Sequence, residues 1–97
     1  MTSKQRAYLI SLAMKLSPSV QIGRAGLTPK VVENANEALE ANELIKINIQ
    51  QGCDESPKEL ARMLSERTRS QLVQTIGRKI VLYREGKDDK KRIALPK

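Results

Sequence analysis

Apolar residues near the start of the chain recur at helical spacing: Leu9, Leu12, Ala13 and Leu16 fall on one side of a helix, and either Thr2 with Gln5 or Ser3 alone can cap it. Pro18 sets the limit of that helix, because the residue before a proline is pushed out of the helical region. Residues 19–22 read as a short strand closed by Gly23. A second helix has a distinct start: Thr28 supplies a capping hydroxyl, and the ring of Pro29 fits the first helical position. Its buried stripe is Val31, Ala35, Ala38 and Leu39, with Asn42 as terminator.

From Glu43 the period shortens to two. Ile45, Ile47 and Ile49 alternate with Lys46 and Asn48, the pattern of a strand with one covered face. Residues 50–55 form a loop, after which Ser56, Pro57 and Glu59 repeat the cap-then-proline logic and open a third helix through Leu60, Ala61, Met63 and Leu64. Two β-rich runs, 72–76 and 79–84, are separated by Gly77 and Arg78, a spacing that suits a two-residue type II′ hairpin. The segment 85–97 is charged and lacks periodicity until Ile93, Ala94 and Leu95, so it reads as a flexible basic tail with a docking end. The order α-β-α-β-α-β-β predicts a two-layer α/β fold: a four-stranded mixed sheet with parallel crossovers, a final antiparallel hairpin and helices packed on it. A length of 97 residues suits a single domain spanning 1–97.

Composition narrows the function. With 39 % hydrophobic and 30 % charged residues the chain can bury a core. No apolar run approaches the roughly 20 residues of a membrane helix, and no signal-peptide core follows the N-terminus. Cys53 has no partner for an internal disulfide, which fits a reducing compartment, so a soluble cytoplasmic protein is expected; it is also expected to be a monomer. Without histidine, and with one cysteine, zinc-type metal sites and most nucleophile–base pairs are out of reach. Glu33, Glu37 and Glu40 share one helix face, but as a solvated face and not as an acid–base pair. No Walker or dinucleotide pattern occurs. A non-enzymatic protein without metal, cofactor or small-molecule substrate is therefore expected.

The net charge is +7, distributed unevenly. Residues 1–30 carry five bases and no acid, 31–70 five bases against eight acids, and 71–97 eight bases against three acids. If the two basic ends meet in the fold, they make one face that attracts a polyanion; otherwise the pattern merely aids solubility. Gly23-Arg24-Ala25-Gly26 lies between a strand and a helix start. Its glycines permit close backbone approach, and the helix beyond presents N–H groups to a phosphate, as GxxG loops do in KH domains. Arg24 projects from the loop, with Thr28 and Lys30 just beyond it. Lys4, Arg6, Lys15, Arg78, Lys79 and Arg84 are candidates for surrounding phosphate contacts. With only Tyr8 and Tyr83 as aromatics, a base-stacking sheet is disfavoured, and recognition of RNA shape and backbone is the better expectation. An alternative is a protein-interaction adaptor that uses the acidic face of Glu33, Glu37 and Glu40.

Three blocks of sequence resemble the CRM domain (chloroplast RNA splicing and ribosome maturation) in its stand-alone bacterial YhbY-like form. They are Ile22-Gly23-Arg24-Ala25-Gly26-Leu27-Thr28, then Ala38-Leu39 followed by Glu43-Leu44-Ile45-Lys46, and Ile76-Gly77-Arg78-Lys79-Ile80-Val81-Leu82-Tyr83-Arg84. The resemblance covers nearly the whole chain. It implies a fold similar to the C-terminal domain of bacterial translation initiation factor three, and RNA binding with the GxxG loop at the contact surface. It further implies a role in assembly on precursors of the large ribosomal subunit, with precursor ribosomal RNA as partner; plant relatives assist intron splicing.

Overall fold

The computed structural model describes residues 1–87 and 93–96. Helix α1 (Ser3–Ala13) begins at a reciprocal capping box between Thr2 and Gln5. It ends a turn before Pro18, so Leu16 lies beyond it and is exposed, leaving Leu9 and Ala13 as its buried residues. In α2 (Pro29–Asn42) the Thr28 hydroxyl accepts from the Val31 N–H, and Val31, Ala35 and Leu39 are buried. The helix stops at Glu43, whose φ of 65° turns the chain into the next strand. The Ser56 hydroxyl caps α3 (Pro57–Thr68), which closes on Arg69 in the left-handed region.

Strands β1 (Val20–Ile22), β2 (Leu44–Ile49), β3 (Gln71–Ile76) and β4 (Lys79–Tyr83) form one sheet in the order β1-β2-β4-β3. β1 runs parallel to β2, with Val20 opposite Ile47. β4 is antiparallel to both β2 and β3, with Leu44 and Gln71 each opposite Tyr83. The predicted mixed sheet and element order are those observed. Gly77 takes a φ of 55°, the sign that the first position of a type II′ turn demands.

The expected two layers are in fact three. Ile45, Ile47, Ile49, Ile80 and Leu82 face α2 and α3 in one core. Leu44, Val73, Val81 and Tyr83 face the other way, onto Leu9 and Ala13 of α1. The reason is visible in β4, where Ile80, Val81, Leu82 and Tyr83 are all buried: alternate side chains of a strand point to opposite faces, so both faces need cover. β2 likewise has more than the one covered face its isoleucines suggested.

Residues 88–92 and 97 of the tail lie outside the described residues. The flanking parts are docked. The backbone N–H groups of Gly86 and Ile93 donate to the buried Glu43 carboxyl at 2.6 and 2.8 Å. Ile93 and Leu95 pack against the core under α1, and Gln5 Nε2 donates to the Pro96 carbonyl. No helix among the described residues is long and apolar enough to cross a membrane.

Candidate nucleic-acid interface

At one end of the sheet the chain leaves β1 and β2 in parallel and turns through the β3–β4 hairpin, which brings three loops together. Gly23, Arg24, Ala25 and Gly26 make a tight turn, with the Gly26 N–H donating to the Gly23 carbonyl at 3.0 Å. Gly26 has a φ of 72°, and a Cβ there would overlap the Glu55 carboxylate. Gly23 lies against Gln50, and the Arg24 side chain lies against Gly52, itself at a φ of 97°. The turn is thus backed along its length by loop 50–55, which the sequence reading left without a role.

Arg78 fixes that backing loop. Its guanidinium donates to the carbonyls of Ile49 (3.2 Å), Gln50 (2.8 Å) and Cys53 (3.3 Å). The Ile49 N–H in turn donates to the Arg78 carbonyl, and the Gln50 N–H to that of Ile22. Backbone carbonyls gain from a charged donor, so this arginine contributes to the frame before it can contact a ligand.

What remains open on this end is backbone and cation. Among the described residues, the N–H groups of Arg24 and Ala25 have no acceptor. In the first turn of α2, Pro29 has no N–H and the Thr28 hydroxyl takes that of Val31, which leaves the Lys30 N–H open. Arg24, Ala25 and Lys30 are exposed, Thr28 is half-buried, and the positive end of the α2 dipole lies behind them. The acidic neighbours Asp54 and Glu55 are exposed as well, and Glu55 leans over Gly26. In the first turn of α3, the hydrogen bond from Arg62 holds the Glu59 carboxyl below its ordinary range and raises Arg62 in return.

The other candidate residues are scattered. Lys79 lies beside the hairpin and donates to Asn48 Oδ1. Arg6 donates to the carbonyls of Leu72 and Val73 on β3. Lys4 and Lys15 are exposed along and just past α1. Arg84 sits at the far end of β4, about 17 Å along the strand from Lys79 at about 3.3 Å per residue. There it donates to the Asn36 side chain and to the Thr68 and Asn36 carbonyls, and it pairs with Glu40 at 3.6 Å. Arg84 therefore joins α2, α3 and β4, and it removes Glu40 from the free acidic face that an adaptor would use.

Residues 1–84 match the family model described as the CRS1 / YhbY (CRM) domain. The chain belongs to this family. A Bacillus subtilis relative named "Probable RNA-binding protein YqeI" is 46 % identical over 96 residues, covering 99 % of each chain. A Haemophilus influenzae relative named "RNA-binding protein" is 38 % identical over 98 residues, covering 100 % of this chain and 96 % of the relative. The solution structure of the Staphylococcus aureus hypothetical protein SAV1595, described as a candidate RNA-binding protein, superimposes with a TM-score of 0.83 at 47 % identity over 99 % of both chains. The CRM fold thus presents, at one end of its sheet, a two-glycine turn with open backbone donors and two cations. The sequence singles out the turn, Arg24 and Lys30 as candidates. The sequence reading missed the backing by Gln50, Gly52 and Glu55, for which the one local signal was Gly52 within a polar loop.

Proposed function

We propose that this CRM protein binds structured RNA through the turn Gly23–Arg24–Ala25–Gly26 and the start of α2, and that it acts without catalysis as an assembly factor on large-subunit ribosomal precursors in the cytoplasm. The observation that carries the reading is the set of open donors on a braced support: the Arg24, Ala25 and Lys30 N–H groups, with the Arg24 and Lys30 side chains beside them. A phosphate is an acceptor-only anion, so donors and positive charge held in one place suit it, and a glycine turn lets the backbone come close. Gly23 supplies that approach, Gly26 takes the positive φ that closes the turn under Glu55, and Thr28 shapes the helix start, while Lys4, Lys15 and Lys79 add outer phosphate contacts. Arg6, Arg78 and Arg84 act mainly by holding the frame. Precursor ribosomal RNA is the partner expected from the family resemblance, and the protein works as a monomer.

Sedimentation of a cell lysate through sucrose tests this reading. The wild-type protein should travel with large-subunit particles at low salt and be released as salt rises, since phosphate contacts weaken with counterion concentration. Arg24→Glu should leave the protein at the top of the gradient at both salts while its circular dichroism stays native. A wild-type protein that never enters the particle fractions would refute the ribosomal assignment.

A further inference from the structure

Helix α1 covers only part of its face of the sheet. Under it lie Leu44, Val73, Val81 and Tyr83, but toward the hairpin the same face turns polar. Strand register places Gln21, Asn48, Lys79 and Ile76 in one row across all four strands, and Lys46, Val81 and Gln74 in the next. Lys79 donates to Asn48, whose amide donates to Gln21 at 2.9 Å, so the outer row is tied together by hydrogen bonds. The Lys46 ammonium has no polar partner among the described residues. Where this region meets the end of α1 there is a groove of about 240 Å³, walled by Ile10, Met14 and Ile76 and edged by Lys46, Gln74 and Lys79.

Three features decide what fits there. Met14 and Ile76 are large apolar residues left 77 % and 61 % exposed at the same groove, and methionine in particular adapts to flat, polarisable partners. The lining holds two lysines and no carboxylate, so the occupant is anionic as well as apolar. The volume is below the roughly 300–1,000 Å³ of sites for drug-sized ligands, which suits a single ring system better than a peptide segment. The groove also opens at the loop end of the sheet, since Lys79 directly follows Arg78 and pairs with Asn48, two residues before Gln50.

We propose that this groove receives one unpaired nucleotide of the bound RNA, its base between Met14 and Ile76 and its phosphates on Lys46 and Lys79. The proposal rests on the reading that the chain binds RNA, but not on the role given to the glycine turn. Gln74, half-buried at the groove edge, is available to hydrogen-bond the base edge.

The test uses fluorescence anisotropy with the full chain and two labelled RNA hairpins, one fully paired and one identical except for a single unpaired adenosine in the stem. The wild-type protein should bind the bulged RNA about tenfold more tightly, the scale of one accommodated base. Met14→Ala with Ile76→Ala should abolish that preference and leave affinity for the paired hairpin unchanged, and Lys46→Gln should weaken binding of the bulged RNA selectively. Both apolar positions are exposed, so the fold is retained, which circular dichroism checks. Equal binding of the two RNAs by the wild type, or a preference that survives the double substitution, overturns the proposal and leaves the patch to a protein partner. Arg24→Glu separates the two readings: if it leaves both affinities intact while the preference persists, the turn assignment falls and the groove stands. If neither RNA binds the wild type, both fall.

Discussion

Arg24 and Arg78 each follow a glycine, each is exposed, and in the sequence each reads as a phosphate contact. The structure separates them. Arg78 donates to three carbonyls of the backing loop, whereas Arg24 only rests against Gly52. Arg78→Ala should therefore lower stability by about 2 kcal/mol in urea denaturation, because charge-assisted bonds to backbone acceptors are lost. Arg24→Ala should change stability by less than about 0.5 kcal/mol, as surface substitutions do, yet weaken RNA binding in a direct titration. Equal destabilisation by the two would mean the turn is structural. The glycines allow a similar separation. Gly77 has positive φ with open space around it, so Gly77→Ala should cost about 1 kcal/mol from backbone strain alone. Gly26→Ala meets the same strain and also the Glu55 carboxylate, so it should cost more, and adding Glu55→Ala should bring the loss back to that of Gly77→Ala.

Helix starts and the hairpin were legible because their signals are local. Thr2, Thr28 and Ser56 cap the three helices as their neighbours suggest, and Gly77 turns as its spacing suggests. The layer formed by α1 was not, because the core beneath it is assembled from Leu44, Val73, Val81 and Tyr83 on three strands distant in sequence. The clue lay in the unbroken apolar run of β4, which a sheet covered on one face does not need. Loop 50–55 was illegible for the same reason: that Glu55 covers Gly26 follows from the β1–β2 pairing and not from any local pattern. The attachment of the tail is also non-local. Glu43 ends α2 with a positive φ, and its buried carboxyl accepts from Gly86 and Ile93, so one residue joins a helix end to a segment more than 40 positions away. Glu43→Ala leaves those two N–H groups without this acceptor and should destabilise the protein by about 2–3 kcal/mol. Hydrogen exchange should quicken at Gly86 and Ile93 in particular. Exchange that stays slow at both amides would show that the apolar contacts of Ile93 and Leu95 hold the tail without the carboxyl.

At the scale of the whole molecule, the two basic ends of the chain do meet, since α1 packs on β3 and β4 and Gln5 bonds to Pro96. Net charge alone nevertheless overstates the cation available to RNA. Arg6 serves β3 carbonyls, Arg78 serves a loop, and Arg84 joins α2, α3 and Glu40, while Arg62 is paired with Glu59 and Glu66. Among the described residues, cations without a side-chain partner include those at the loop end (Arg24, Lys30), along and just past α1 (Lys4, Lys15) and at the opposite end of the sheet (Arg67, Arg69, Lys87). Salt dependence can count them. The slope of log affinity against log salt reports about 0.9 counterions per phosphate neutralised on a duplex, and fewer on single strands. Arg24→Gln and Lys30→Gln should each reduce the magnitude of that slope by up to about 0.9, and together by the sum if the contacts are independent. Arg84→Gln should lower thermal stability yet leave the slope unchanged, because its guanidinium already faces Asn36, Thr68 and Glu40. The reverse result, a slope that falls with Arg84→Gln and holds with Arg24→Gln, would move the RNA to the opposite end of the sheet, where Arg67, Arg69 and Lys87 line a cavity of about 490 Å³ beside Arg84.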